Sequence, residues 1–285
     1  MAAILRSQEH FPPSHDGSRD YHETNMSNTT TALLAAATLA PAPAKAAVDM
    51  AAVDLALEAL KTYNHGSSRA TLMPIDDAVV ASLRDVPARK ELERRLAAVL
   101  RTNVSPVAKD YICSKLSLIG SAESVPALAE LLSDQNLAHA ARNALEAMPG
   151  LEPVNALRDS LARLAGLQKV GVINSLGTRR DVRSVPLLTT LLEDGDSQIA
   201  GAAAAALGNI GTVETAQALQ KFQPKASVAL RLVVADASLA CAERLLADGN
   251  KAEALAIYKA LTDARQPKQV QLAARQGLLT AAQKK

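Results

Sequence analysis

Ser114, Asn143 and Asn174 recur at steps of 29 and 31 residues. Side chains of this kind in a row could hold the backbone of another chain, because an amide both donates and accepts hydrogen bonds. Lys109 and Lys169, with Lys115 and Arg142 nearby, would add positive charge to the same row. Arg179, Arg180 and Arg183 form a separate basic cluster, read as an exposed contact point. Both features have a plainer alternative, since a solvated helix face carries polar and charged residues at the same spacing. Arrangements for catalysis are harder to find. There is no Ser/His/Asp arrangement, no Gly-rich phosphate loop and no paired-carboxylate motif, although catalytic groups can assemble from distant positions without a local signature. Cys113 and Cys241 lie far apart in apolar stretches, without the close pairing that a metal knuckle or redox motif requires, and read as buried thiols. No catalytic residue, metal ligand or cofactor is assigned.

Composition sets the frame in which these residues must sit. The 285 residues are 48% hydrophobic, which suffices for a substantial core, but only 2% aromatic and without Trp. A core built from Ala, Leu and Val closes through small surfaces that approach closely, which favours stacked helices over an aromatic-rich sandwich. The formal net charge of +2 gives no footprint for a nucleic-acid partner.

Residues 1–25 mix His, Ser, Asp, Arg and Pro without helical or strand period and read as a disordered extension. Residues 26–46 differ. Thr31 to Ala40 is apolar and about as long as a signal-peptide core, and Ala42-Pro43-Ala44 or Ala44-Lys45-Ala46 would serve as an A-x-A cleavage site. Export to a periplasmic or extracellular location is the expectation, and an Ala/Pro-rich linker in a cytoplasmic protein is the alternative. The stretch is too short to span a bilayer, and no later charge-free apolar run of about twenty residues follows, so no integral membrane segment is expected.

The most informative feature is internal repetition. Leu128, Leu157, Leu188 and Leu219 advance by 29, 31 and 31 residues, and Leu116, Leu145, Leu176 and Leu207 advance by the same steps. Two series locked together imply two helices of one repeating hairpin. Pro126, Pro153 and Pro186 suit the first turn of a helix, where a missing N–H is harmless, and Ser124 and Ser184 suit N-caps. Gly120, Gly150, Gly177 and Gly211 suit the left-handed closure of the second helices. Ser133 to Asn136 and Glu193 to Asp196 are turn material between the helices.

This pattern resembles the HEAT family, and in particular the short HEAT-like repeats of phycobilin lyases. The matches are Val-Pro-x-Leu-x-x-Leu-Leu at Val125 to Leu132 and at Val185 to Leu192, and Ala-Ala-x-Ala-Leu-Gly at Ala203 to Gly208. The resemblance implies an all-α superhelix, a HEAT-like solenoid over residues 47–222 that is clearest over 124–211. Residues 223–285 would form a helical cap, in which Leu239 to Tyr258 is similar to a tetratricopeptide hairpin turning at Gly249. A last helix is expected over Lys268 to Gln283.

HEAT-like scaffolds include enzymes, and each type asks for particular residues. Deoxyhypusine hydroxylases hold two irons with several His-Glu pairs, whereas His22-Glu23 is the one such pair here and only His139 of the five histidines falls in the clear repeats. HEAT-like DNA glycosylases work with aromatic side chains, and Phe222 is the single Phe of the repeat region. A phycobilin lyase needs an acidic, aromatic groove, and Tyr111 is the sole aromatic residue in the middle of a second helix. The expected function is therefore a non-catalytic scaffold for a protein or peptide partner, with a lyase or cofactor-handling protein as the alternative. In stacked hairpins the second helices line the concave face, where Ser114, Asn143 and Asn174 would form a ladder like the asparagines of armadillo repeats.

Overall fold

The computed structural model describes residues 48–283. The chain divides into Met1–Ala44 and Lys45–Lys285, and all described residues belong to the second unit. The expected extension at 1–25 and the signal or linker segment at 26–46 lie outside the described residues.

Fourteen α-helices and no strand occur among the described residues. In chain order they are α1 (Met50–Leu60), α2 (Met73–Ser82), α3 (Val86–Leu100), α4 (Pro106–Ile119), α5 (Val125–Glu130), α6 (Ala138–Ala147) and α7 (Glu152–Ser160). They continue as α8 (Gly166–Thr178), α9 (Val185–Leu191), α10 (Ser197–Ile210), α11 (Val213–Phe222), α12 (Val228–Ala247), α13 (Lys251–Leu261) and α14 (Lys268–Gln283). Local sequence sets many of the starts. The side chains of Asp49, Asp85, Ser105, Asp196 and Thr212 accept hydrogen bonds from first-turn N–H groups of α1, α3, α4, α10 and α11. Pro126, Pro153 and Pro186 fall in the first turns of α5, α7 and α9, as their spacing predicts.

Each odd-numbered helix packs against the even-numbered helix that follows it, from α1 with α2 to α13 with α14. The even-numbered helices also stack on one another in unbroken order from α2 to α14. This is the repeating hairpin solenoid that the leucine columns imply. Leu116, Leu145, Leu176 and Leu207 fall on α4, α6, α8 and α10, and all are fully buried. Leu128, Leu157, Leu188 and Leu219 fall on α5, α7, α9 and α11, and none is more than 1% exposed. One buried cluster runs from Val53 in α1 to Ala281 in α14, so each unit completes its core on the next. Ala254 and Tyr258 of α13 are buried where the chain turns back at Gly249.

Two expectations about helix ends need correction. Gly211 (φ 66) does close α10 in the left-handed region, and Gly150 (φ 96) has a positive φ just past α6. Gly120, however, is extended at φ −65 and ψ 151, and Gly177 lies within α8. There a Cβ would stand 2.7 Å from Cα of Ala206, so glycine is required by the approach of α10, and the left-handed residue after α8 is Arg180 (φ 52). Ser124 and Ser184 stand at N-cap positions but make no capping hydrogen bond, because their own backbones are already helical. Their hydroxyls turn backward instead, to the carbonyl of Ser121 at 3.2 Å and to the carboxylate of Asp181.

Those backward bonds belong to ties made one repeat step apart. Glu93 of α3, 1% exposed, accepts from the N–H and hydroxyl of Ser121 and the N–H of Ser124, at 2.6, 3.0 and 3.2 Å. Arg158 of α7 donates to Asp181 at 2.6 Å and to Ser184 at 3.3 Å. Buried polar groups thus anchor the entry to α5 and to α9 on the preceding first helix.

Contacts between stacked second helices change character along the chain. Lys115 and Tyr111 of α4 reach Asp76 of α2 at 2.7 and 2.9 Å, with Arg69 at 3.5 Å and the Lys115 ammonium 4.8 Å from the centre of the Tyr111 ring. Burial works to raise the Asp76 carboxyl, yet the hydrogen bonds from Lys115 and Tyr111 and the nearby positive charge outweigh it and leave the group below its ordinary value. At the other end small residues bring the helix backbones close together. Gly177 lies under Ala206, and a Cβ on Gly208 would stand 2.9 Å from Cα of Ala237 in α12.

Two predictions follow from the packing. Leu176→Ala should lower unfolding free energy by about 2–5 kcal/mol in a denaturant titration, the range for deleting a buried leucine. A carboxyl lowered in the folded state stabilises above its unfolded value, 3.8, and that contribution is lost as pH falls through the folded value. Wild type should therefore lose stability on acidification below about pH 4–5 by a component that Asp76→Asn lacks. Asp76→Asn should also be less stable at pH 7, because it leaves the nearly buried Lys115 without its counter-ion.

Candidate functional site

The stacking order places α4, α6 and α8 side by side, and with them three residues in equal register. Ser114, Asn143 and Asn174 are all exposed, each two positions before a fully buried leucine of the second-helix column. Burying the leucine toward the hairpin partner turns the residue two positions earlier outward, since two residues span about 200° of a helix turn. The row ends at α10, where Ala205 takes the equivalent position and the helix presents small residues.

Two open clefts lie along α6, and Asn143 lines one of them. One, of about 300 Å³, lies between α6 and α8 and is lined by His139, Arg142, Gln168 and Val172 among others. The other, of about 440 Å³, is lined by Asn143, Glu146, Ala147, Thr178 and Arg179. Between the clefts runs a polar network. Arg142 donates to Glu146 at 3.2 Å and to Ser175 of α8 at 2.8 Å, and the Ser175 hydroxyl donates to Glu146 at 2.5 Å. His139 lies with Nδ1 3.0 Å from Nη2 of Arg142 and Nε2 3.0 Å from the side-chain amide of Asn143. A guanidinium can only donate, so Nδ1 accepts from Arg142. The Asn143 atom that stands 3.0 Å from Nε2 is the amide nitrogen, so this amide is already engaged with the imidazole.

The candidate cations are mostly engaged within the chain. Lys115 is 9% exposed and paired with Asp76, and Lys169 stands 3.6 Å from Asp194. Lys109 is half-buried on α4, and Arg183 is exposed before α9. Arg179 donates to the carbonyls of Leu145, Glu146, Met148 and Gly150 at 3.1, 2.7, 2.6 and 2.9 Å, which closes the C-terminal end of α6. Burial draws its guanidinium below its ordinary value against the opposing charges of Asp181 and Glu146. Arg180 points the other way. It donates to the carbonyl of Ile210 at 3.1 Å and to Asp248 at 2.5 Å, closing α10 and reaching the end of α12. These two adjacent arginines tie α8 to both of its neighbours, a role distinct from the exposed contact point expected of them.

Glu146 and Ser175 were not singled out by the sequence reading, and His139 was considered only as a metal ligand. The signal that finds them is the repeat step itself, since Glu146 and Ser175 stand 29 residues apart. The thiols are poor nucleophiles: burial pushes Cys113 up to about 12 and raises Cys241, which lies 3.5 Å from the Thr215 hydroxyl. Among the described residues no group of three or more His, Cys, Asp or Glu is placed to hold a metal, and no helix is long and apolar enough to cross a membrane.

Stacked hairpins sharing one core and one exposed second-helix face define an α-helical repeat protein. Residues 168–237, from α8 to the middle of α12, match the family profile described as HEAT repeats. No curated protein matches the chain. Solved structures similar to it include the complex of CpcE and CpcF of phycocyanin lyase from Nostoc sp. PCC7120, at 19% identity and a TM-score of 0.36, covering 80% of this chain and 94% of that one. Human deoxyhypusine hydroxylase in complex with glycerol is similar at 15% identity and a TM-score of 0.32, covering 82% and 96%. An engineered protein is similar at 18% identity and a TM-score of 0.30, covering 80% and 96%.

The Arg179 fork holds the C-terminal end of α6 beside the site. Arg179→Ala should lower unfolding free energy by roughly 1.5–3 kcal/mol, as expected for charge-assisted hydrogen bonds. Arg179→Lys should recover little of it in the same melt, because an ammonium cannot span four carbonyls set around a planar fork.

Proposed function

We propose that this chain is a non-catalytic scaffold that holds a protein or peptide partner on the second-helix face of α4, α6 and α8. The observation that carries this reading is Asn143, which is exposed on α6 and lines an open cleft of about 440 Å³. Ser114 and Asn174 extend the row across the adjoining helices. Because Lys115 and Lys169 are held by internal carboxylates, recognition rests on hydrogen bonds to a partner's backbone rather than on charge. The apolar Thr31 to Ala40 run and the small residues after it support export of the protein, and N-terminal sequencing of the native protein would then find a start near Lys45 or Ala47.

The scaffold reading is tested by affinity capture from the native cell with wild type and with the Asn143→Ala/Asn174→Ala double variant. Two lost hydrogen bonds of about 0.5–1.5 kcal/mol each correspond to roughly 5- to 150-fold weaker capture, with an unchanged melting temperature. Equal recovery by both proteins would reject the ladder.

A further inference from the structure

The first-helix side of the chain contains a gap that the repeat does not fill. Over α5 to α11 the hairpins keep a step of about thirty residues, but after Phe222 the register is broken by the turn at Gln223–Lys225 and by the 20-residue α12. Between α11 and α13 a slot of about 80 Å³ remains, walled mostly by aliphatic side chains, among them Ala216, Ile257, Ala260 and Leu261, together with Gln220, Gln223 and Ser238. The Ser238 hydroxyl already donates to the carbonyl of Val234 at 2.8 Å, which leaves the amides of Gln220 and Gln223 as the polar groups of a wall that is otherwise carbon. A water-sized group needs about 10–15 Å³ by this measure, so the slot takes on the order of five to eight heavy atoms, the size of one aliphatic side chain. An unfilled gap forfeits the dispersion contacts of its walls, which makes an apolar occupant favourable.

The slot opens into a wider vestibule of about 650 Å³, with Gln223 and Ala260 shared by both. Val228, 80% exposed, and Leu232 lie on its α12 side. Its charge is unbalanced. Arg265 is held by Asp263 through two hydrogen bonds of 2.9 and 3.0 Å, which leaves Arg231, exposed and in no ion pair among the described residues, as the uncompensated cation at the mouth.

We propose that this slot and vestibule form a second binding site, which takes a peptide segment that inserts one aliphatic side chain between α11 and α13 and sets a flanking Asp or Glu against Arg231. The side chain completes the layer of first helices where the register change interrupts it, and the carboxylate supplies the counter-charge that Arg231 lacks. The site is separate from the Asn143 face, so either can hold without the other.

The test pans a random twelve-residue peptide library on the full-length protein and measures the best synthetic peptide by fluorescence anisotropy. Enriched sequences should carry Leu, Ile or Val next to Asp or Glu. Binding should weaken at least tenfold in Ala260→Phe, which fills the slot, and about fivefold in Arg231→Glu, while Asn143→Ala/Asn174→Ala binds as wild type does. Arg231 is exposed, so its variant keeps the test open even if Ala260→Phe fails to fold by circular dichroism. Failure to enrich any peptide, enrichment without acidic bias, or equal affinity for Arg231→Glu would overturn the proposal. So would a wild-type dimer in sedimentation velocity that Ala260→Phe abolishes, because the occupant would then be a second copy of the chain.

Discussion

Two leucines per hairpin, one on each helix and each at most 1% exposed, must be buried against the neighbouring unit as well as their own. A single hairpin of six- to fourteen-residue helices cannot close a core around them. Stacking is therefore obligatory, and the stack fixes which side chains meet. Glu93 finds Ser121 and Ser124, Arg158 finds Asp181 and Ser184, and Glu146 finds Ser175, each pair joining one hairpin to the next. Without the common register the buried Glu93, Ser124, Ser175 and Ser184 would lose these partners, a state more costly than never having the group at all.

The same register made the architecture legible. Leucine spacing alone assigns α4 to α11 to hairpins, and the proline positions place the first turns of α5, α7 and α9, because both signals report a single requirement. Glycine and serine report several. Gly177 answers to the approach of Ala206 and Gly211 to a left-handed turn, and nothing in one sequence separates the two demands. Ser124 and Ser184 occupy cap positions, yet the preceding turn supplies a better partner for the hydroxyl.

The face of α4, α6 and α8 was legible in part. Ser114, Asn143 and Asn174 project outward because their offset from the buried leucines is constant. The neighbouring network of His139, Arg142, Glu146 and Ser175 depends on how far apart α6 and α8 stand, and that separation is a product of the fold. Arg179 and Arg180 illustrate the same limit of one-dimensional reading. Charged residues at a turn look solvated, whereas here the guanidinium groups supply the donors that the ends of α6 and α10 need.

The shift from long polar side chains between α2, α4 and α6–α8 to Gly–Ala contacts between α8, α10 and α12 has a mechanical consequence. A lysine or arginine spacer has several rotatable bonds and can hold two helices at more than one distance, while a glycine under an alanine permits only one. Compliance is thus concentrated in the first half of the stack. The contacts where Asp76 meets Lys115 and Arg142 meets Ser175 therefore leave more room for helix movement than the glycine contacts of the α8–α12 stack do.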